Sequence, residues 1–194
     1  MGNVTSVANA FRAIGANVFI SNRFDEIETA DRIVLPGVGA FGEGVKHLRE
    51  LNLIKPLEEL VLKRKKPFLG ICLGMQLLAT IGHEFEINQG LNWIPGEVNQ
   101  LAVGNLRLPH IGWNNFSALP QPSSLLSGIG TDVDFYYVHS YHFVPKDTST
   151  VMATCEYGQT FPAVIAWENI MGVQFHPEKS QKAGEKLLLN FIKS

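Results

Sequence analysis

The chain contains Lys66-Pro67-Phe68-Leu69-Gly70-Ile71-Cys72-Leu73-Gly74-Met75-Gln76-Leu77-Leu78, in which an apolar run ends on Gly-x-Cys-x-Gly and a helical pattern follows at once. This order predicts a buried strand that ends in a sharp turn with a nucleophilic cysteine at its apex. Cys72 would then lie at a helix N-terminus, where unpaired N–H groups favour the thiolate over the thiol. The flanking glycines suit a strained turn and keep side chains away from an approaching substrate. The alternative is a buried structural cysteine in a parallel strand.

The composition is that of an ordinary globular protein of 194 residues, 45% hydrophobic and 18% charged, which suits one domain with one buried core. The net charge of −2 does not indicate a nucleic-acid partner or an anionic membrane. Cys72 and Cys155 lie far apart, which favours a cytoplasmic protein with reduced thiols, and we interpret Cys155 as structural. The histidines are scattered without metal-ligand spacing, so neither a metal nor a cofactor is expected.

The first half of the chain alternates between helical and strand patterns. Helices are predicted over residues 1–13, 41–52, 57–65 and from Cys72 to about residue 81, and strands over residues 17–20, 32–37 and 68–72. Asn3 can cap the first helix. Strands separated by helices predict an α/β fold with a doubly wound, largely parallel sheet, in which sites collect at the carboxyl ends of the strands.

The second half is richer in short strands. Strand patterns cover residues 106–109, 134–139, 151–154 and 163–166, and a closing helix is expected over residues 183–193. We interpret these strands as a mixed or antiparallel extension of the same sheet. Neither a linker nor an internal repeat divides the sequence, so residues 1–194 are predicted to form a single domain.

A cysteine nucleophile needs a base, and the base needs a group that fixes its tautomer. The segment Met171-Gly172-Val173-Gln174-Phe175-His176-Pro177-Glu178 supplies both, because a strand runs into His176 and Pro177 can bend the chain so that Glu178 reaches the imidazole. The alternative is a histidine at a strand end that bonds only to a backbone carbonyl.

Three segments together resemble the class I (triad) glutamine amidotransferases, whose fold is flavodoxin-like. They are Pro36-Gly37-Val38-Gly39-Ala40-Phe41, Gly70-Ile71-Cys72-Leu73-Gly74-Met75-Gln76 and Gln174-Phe175-His176-Pro177-Glu178-Lys179-Ser180. The resemblance covers essentially the whole chain. Within the family it is closest to the glutaminase subunit of imidazole glycerol phosphate synthase, on the strength of His110-Ile111-Gly112-Trp113-Asn114, Val138-His139-Ser140-Tyr141 and Met1-Gly2-Asn3.

The resemblance implies hydrolysis of glutamine to glutamate and ammonia through a cysteinyl thioester. Cys72 would be the nucleophile, His176 the general base and acid, and Glu178 the residue that orients His176. Further positions would hold the oxyanion or the substrate; they are Val38, Gly39, Leu73, Gln76, Glu84, His139, Ser140 and Tyr141. For Gln76 the alternative is a solvated helix residue, and for His139 and Tyr141 it is an ordinary strand position.

The resemblance also implies a partner that uses the ammonia, a (β/α)8-barrel cyclase in a heterodimer that serves histidine biosynthesis and combines hydrolase with lyase chemistry. Residues that match the docking face are Asn3, Trp113, Asn114 and Lys179. An exposed Trp beside an Asn suits an interface hot spot. The alternative is a Trp113 that fills the protein's own core.

One departure from the family concerns the N-terminus. Family members usually begin several residues earlier, with a strand that this sequence lacks, so we expect an exposed sheet edge and low stability. Other functions stay open: a paralogous glutaminase that feeds amidination of a bacterial surface sugar, a γ-glutamyl hydrolase that needs no partner, or a catalytically silent scaffold subunit.

Overall fold

The computed structural model describes residues 3–194; Met1 and Gly2, which open the predicted first helix and the Met-Gly-Asn match, lie outside the described residues. The α-helices are α1 (Val4–Ala13), α2 (Phe24–Ile27), α3 (Phe41–Glu50), α4 (Ile54–Glu58), α5 (Leu73–Gln76) and α6 (Gln181–Lys193). A π-helical turn, Glu59–Lys63, continues α4, and 3₁₀ turns cover Ser124–Leu126, Thr148–Thr150 and Pro177–Lys179. None of these helices is both long and apolar enough to cross a membrane.

Six strands form the sheet that carries the site, in the order β1-β2-β12-β11-β10-β7. They are β1 (Ile33–Gly37), β2 (Phe68–Cys72), β7 (Ser117–Ala118), β10 (Val151–Tyr157), β11 (Gln159–Trp167) and β12 (Ile170–Val173). The strands β1, β2 and β12 run parallel, and β11, β10 and β7 extend the sheet in antiparallel fashion. The predicted α/β class with a mixed extension is confirmed.

The other strands form two smaller units. They are β3 (Ile81–Gly82), β4 (Asn88–Gln89), β5 (Gly96–Gln100), β6 (His110–Asn115), β8 (Asp134–His139) and β9 (Tyr141–Pro145). A four-stranded sheet has the order β4-β3-β5-β9, and β6 pairs with β8 as an antiparallel ribbon. The expectation that the late strands extend the main sheet is therefore confirmed for residues 151–154 and 163–166 and wrong for residues 134–139, which pair with β6 instead.

The strand β2 is buried on both faces, which explains its continuous apolar sequence. Leu69 and Ile71 point into a core that includes Phe11 of α1 and the closing helix α6. Phe68 points to the opposite core, which is built on α3 and α4. Cys72 therefore ends a strand whose position is fixed from both sides.

Residues 17–20 form no strand, contrary to prediction. Within the described residues β1 is an edge strand of the main sheet, and residues 17–20 do not pair with it. Phe19 and Ile20 are 47% and 54% exposed.

Two further elements also differ from the prediction. The helix after Cys72 ends at Gln76, because the N–H groups of Leu78 and Ala79 bond to carbonyls only three residues back and the chain then enters β3. All residues from 71 to 79 are buried, and an apolar run of this kind does not distinguish a helix from a compact turn. Residues 106–109 lead into β6 without pairing, since Leu106 closes a turn onto Val103 and Pro109 has no N–H for a ladder.

Candidate active site

The nucleophile candidate lies at a sharp junction between β2 and α5. Cys72 is the last residue of β2, and the helix begins at Leu73. Its backbone has φ 53° and ψ −109°, a conformation that costs energy for a residue other than glycine. The adjacent parallel strand ends at the same level, since Gly37 of β1 pairs with Cys72. The thiol therefore lies at the carboxyl ends of two neighbouring strands, where an α/β sheet places its sites.

The glycines around this junction allow close packing of the backbone. A Cβ atom on Gly70 would lie 2.6 Å from the carbonyl oxygen of Gly74, and a Cβ atom on Gly74 would overlap the carbonyl oxygen of Leu35. The space that these two glycines leave is filled by the protein's own main chain.

His176 and Glu178 are brought together by the turn that Pro177 begins. The Nδ1 atom of His176 lies 2.8 Å from Oε1 of Glu178, and the two side chains are 2% and 0% exposed. The 3₁₀ turn Pro177–Lys179 folds the carboxylate back onto the imidazole. Because Nδ1 faces the carboxylate, Nε2 is the nitrogen that can exchange a proton with Cys72.

The charge of His176 is set by its neighbours. Burial alone would lower its pKa, but hydrogen bonds and charge interactions with Cys72 and Glu178 outweigh burial and raise the pKa from 6.5 to about 9. The protonated imidazole is therefore the favoured form beside a thiolate, and this is the arrangement that activates a cysteine.

Asn3 joins this pair. Its side chain makes no capping bond to α1, contrary to expectation. The amide Nδ2 instead donates to Oε1 of Glu178 and lies 3.3 Å from Nδ1 of His176. Since Nδ1 itself donates to the carboxylate, the productive bond of Asn3 is the one to Glu178.

The predicted oxyanion groups lie around a cavity of about 330 Å³ beside the junction. Its lining includes Val38, Gly39 and Leu73. Leu73 is the first residue of α5, so its N–H has no acceptor within the helix. Gly39 has φ 100°, a left-handed conformation that lets the turn between β1 and α3 present its backbone toward the cavity.

Two predicted substrate residues are held by the protein itself. Gln76 is buried, and its Nε2 donates to the carbonyl of Tyr141 at 2.8 Å and to Oε1 of Gln174 at 3.1 Å. Glu84 accepts a hydrogen bond from the N–H of Phe41 at 2.7 Å, at the first residue of α3. The carboxylate of Glu84 thus lies next to the turn that contains Val38 and Gly39.

The stretch from His139 to Tyr141 uses most of its polar groups internally. His139 is buried, and Nδ1 lies 2.9 Å from the carbonyl of Tyr141. The carbonyl of Ser140 accepts from the N–H of Leu101 at 2.9 Å. The carbonyl that faces the sulfur of Cys72 is that of the preceding residue, Val138, at 3.8 Å.

The predicted docking residues separate into two groups. Trp113 is 47% exposed, packs on Tyr136 with ring centroids 5.8 Å apart, and shares that ring with Nζ of Lys179 at 5.4 Å. We call Trp113, Tyr136 and Lys179 the aromatic patch. Asn114 turns inward and donates to the carbonyl of Glu156 at 3.0 Å. The patch lies directly behind the triad, since the carbonyl of Tyr136 accepts from the N–H of His176 at 2.8 Å.

Sequence reasoning gave no role to Gln174, whose amide nitrogen lies 3.7 Å from the sulfur of Cys72. A signal was present, because Gln174 is a polar residue inside the apolar run that leads to His176. Such a residue needs a buried partner.

The remaining candidate groups lie elsewhere. Cys155 is a buried free thiol, and burial raises its pKa to about 11, which agrees with a structural role. His83 pairs with Glu97 near the surface, and His142 is buried against Gln159. Within residues 3–194 no group of three or more potential ligands could hold a metal ion.

The comparisons with known proteins agree with this geometry. Subunit HisH 1 of imidazole glycerol phosphate synthase from Campylobacter jejuni (strain RM1221) is 48% identical over 193 residues, which cover 99% of this chain and 95% of that protein. The HisH subunit from Aquifex aeolicus is 45% identical over 192 residues, which cover 98% of this chain and 91% of that protein.

Solved structures show the same fold at lower identity. A glutamine amidotransferase crystal structure aligns with TM-score 0.77 at 18% identity, over 99% of this chain and 93% of that chain. The structure of PurLQS from Thermotoga maritima aligns with TM-score 0.73 at 18% identity, over 97% and 91%. A family model described as class-I glutamine amidotransferase matches residues 1–194. The resemblance predicted from the sequence is confirmed, and this chain belongs to the class I glutamine amidotransferases.

Proposed function

We propose that this chain hydrolyses glutamine to glutamate and ammonia, with Cys72 as nucleophile, His176 as general base and acid, and Glu178 as the orienting carboxylate. One observation carries the proposal: a cysteine on a strained strand–helix junction interacts with a histidine whose pKa is raised to about 9 and which is bonded to a buried carboxylate. Membership of the amidotransferase family supports the choice of glutamine as substrate.

The chemistry needs only these groups and water. His176 accepts the proton of the thiol, and the thiolate attacks the side-chain amide carbon of glutamine. The oxyanion collapses to a γ-glutamyl thioester as ammonia leaves with the proton that His176 returns. Water then attacks the thioester and gives a proton to His176; glutamate leaves as the sulfur regains a proton.

The two oxyanions need donors that are in place before reaction. We assign these to the N–H of Leu73 and to the turn at Val38 and Gly39, since these line one cavity and Leu73 directly follows Cys72. One such donor typically contributes about 3–4 kcal/mol of transition-state stabilisation. Glu84 and the remaining side-chain oxygen of Gln76, whose amide nitrogen is bonded to Tyr141 and Gln174, are our candidates for binding the amino-acid end of glutamine, with the backbone of residues 139–141 completing the pocket.

The ammonia requires an acceptor, which we assign to a (β/α)8-barrel cyclase. The pair would form a heterodimer in the cytoplasm that makes imidazole glycerol phosphate in histidine biosynthesis. The relatives from Campylobacter jejuni and Aquifex aeolicus are named subunits of imidazole glycerol phosphate synthase, which supports this partner. The aromatic patch supplies an exposed Trp of the kind that anchors interfaces.

The deciding experiment measures glutamate release from glutamine, with and without the barrel cyclase and its nucleotide ligand. We expect the partner to raise the rate, Cys72→Ala to abolish it, and Cys155→Ala to retain it as a matched cysteine control. Activity that survives in Cys72→Ala would overturn the triad assignment. A folded sample that the cyclase does not activate would overturn the partner assignment and favour the surface-sugar amidination pathway. Turnover of a γ-glutamyl peptide without any partner would favour a hydrolase.

A further inference from the structure

Gln174 contacts the reacting sulfur from a fully buried position. Its side chain is 0% exposed, and Nε2 lies 3.7 Å from Sγ of Cys72. Besides His176, the sulfur has the carbonyl oxygen of Val138 as a polar neighbour at 3.8 Å, and this oxygen can accept from a thiol but offers nothing to a thiolate. Gln174 is therefore a neutral donor placed where a thiolate forms.

A backbone carbonyl fixes the direction of this donor. The oxygen of Tyr141 can only accept, so Gln76 must present its NH₂ group to it at 2.8 Å. The second N–H of that group donates to Oε1 of Gln174 at 3.1 Å. With its oxygen committed, Gln174 must direct its own NH₂ toward Sγ. If the amide of Gln76 were reversed, its oxygen would face the carbonyl oxygen of Tyr141, and both atoms can only accept.

The same carbonyl fixes a pair of buried histidines. Nδ1 of His139 lies 2.9 Å from the oxygen of Tyr141 and so carries the proton. Burial lowers the pKa of His139 to about 3, which keeps the ring neutral and makes Nε2 an acceptor. Nδ1 of His110 lies 3.1 Å from that nitrogen and must donate to it. Asn114 in turn lies 3.4 Å from Nε2 of His110.

We propose that Gln174 is a further catalytic residue, whose amide donates to the Cys72 thiolate, and that Gln76, His139 and His110 are positioning residues that hold the Tyr141 carbonyl and this amide in one arrangement. The inference rests on the proposed role of Cys72 as nucleophile. It adds a neutral donor to the charged pair formed by Cys72 and His176.

The expected effect is on the thiolate fraction. The titratable group that interacts with the sulfur is His176, which is bonded to Glu178, and the neutral His139 lies close enough to His176 to interact with its charge. A hydrogen bond to a charged acceptor changes an equilibrium by about tenfold or more, so its loss disfavours the thiolate form of Cys72 by about that factor. We expect losing this hydrogen bond to reduce hydrolysis most at neutral pH. The reduction becomes smaller at higher pH, where the thiolate forms without the hydrogen bond.

The test compares the pH dependence of Cys72 alkylation by iodoacetamide with glutamine hydrolysis, in a Cys155→Ala background that leaves one thiol. Gln174→Met keeps the length of the side chain without a donor. We expect its alkylation midpoint to rise by about one unit and its turnover at neutral pH to fall about tenfold, with little change in KM. Gln159→Met is the matched control, because Gln159 contacts His142 outside this network; it should keep the parental profile.

The outcomes separate the two proposals. An unchanged midpoint and turnover in folded Gln174→Met would overturn this inference alone. Hydrolysis that survives in Cys72→Ala would instead overturn the function on which it rests. Should Gln174→Met fail to fold, Gln174→Asn decides, since it keeps an amide that no longer reaches the sulfur and is expected to shift the midpoint in the same direction.

Discussion

His176 links catalysis to stability through one proton. Its folded-state pKa of about 9 lies above the ordinary 6.5, so folding favours the protonated ring. The resulting stabilisation is complete below about pH 6.5 and is lost as the pH rises through about 9. The shift corresponds to about 3 kcal/mol. Urea unfolding of the protein at several pH values should show this loss, and His176→Gln should lack it. An equal change of unfolding free energy with pH in the two proteins would contradict the prediction.

Glu178 matters because its charge balances the imidazolium in a site closed to water. Glu178→Gln keeps the shape but presents a neutral amide, which stabilises the protonated ring less and can select the wrong tautomer. We expect turnover to fall by about 10²- to 10⁴-fold with a smaller change in KM. An NMR titration should show the pKa of His176 falling below 9. A retained pKa together with retained turnover would contradict the role.

At the scale of elements, the junction between β2 and α5 depends on main-chain contact with β1. Gly74→Ala would place a methyl group against the carbonyl of Leu35 and force the helix away from the strand. We expect a loss of about 1–3 kcal/mol of unfolding free energy, measured in urea. The matched control is Gly130→Ala, because an added Cβ there meets nothing within 4 Å. Equal stabilities for the two variants would show that the junction tolerates the methyl group.

The sequence predicted correctly those elements whose immediate surroundings are encoded in the same stretch of residues. An apolar run before Gly-x-Cys-x-Gly specifies both a strand and its exit, and the structure places that strand between two cores. Residues 17–20 have the composition of a strand but depend on a neighbour that the pattern does not report. The contact of Gln174 with the sulfur could not be predicted for a related reason. The pattern of apolar and polar residues indicates which side of a strand is buried, but it does not identify the residue that packs there.

At the scale of the whole molecule, the aromatic patch lies at the surface and is bonded to the triad, because the carbonyl of Tyr136 accepts from the N–H of His176. Trp113→Ala should weaken binding of the barrel cyclase by about tenfold to a hundredfold, because exposed Trp side chains dominate interface energies. Trp167→Ala is the matched control, with a similar exposure of 41% and a cation–π contact to Lys65 away from the patch. Calorimetric titration with the cyclase measures both. Equal affinities for the two variants would rule out the patch as the docking face.

The low stability predicted for this chain stays a prediction. The structure offers a physical reason for it, in that β1 ends the sheet and Phe19 and Ile20 remain about half exposed. A melting scan tests it directly. A high, cooperative transition would contradict it.

The parallel pairing of β2 with β12 has a consequence for how the protein is made. Phe68 pairs with Ile170, so the strand that carries Cys72 meets the strand that leads to His176 only after most of the chain has emerged from the ribosome. Pairings so distant in sequence form late and slowly. In a nascent chain Cys72 is therefore a thiol without its histidine, and it becomes reactive only in the last steps of folding.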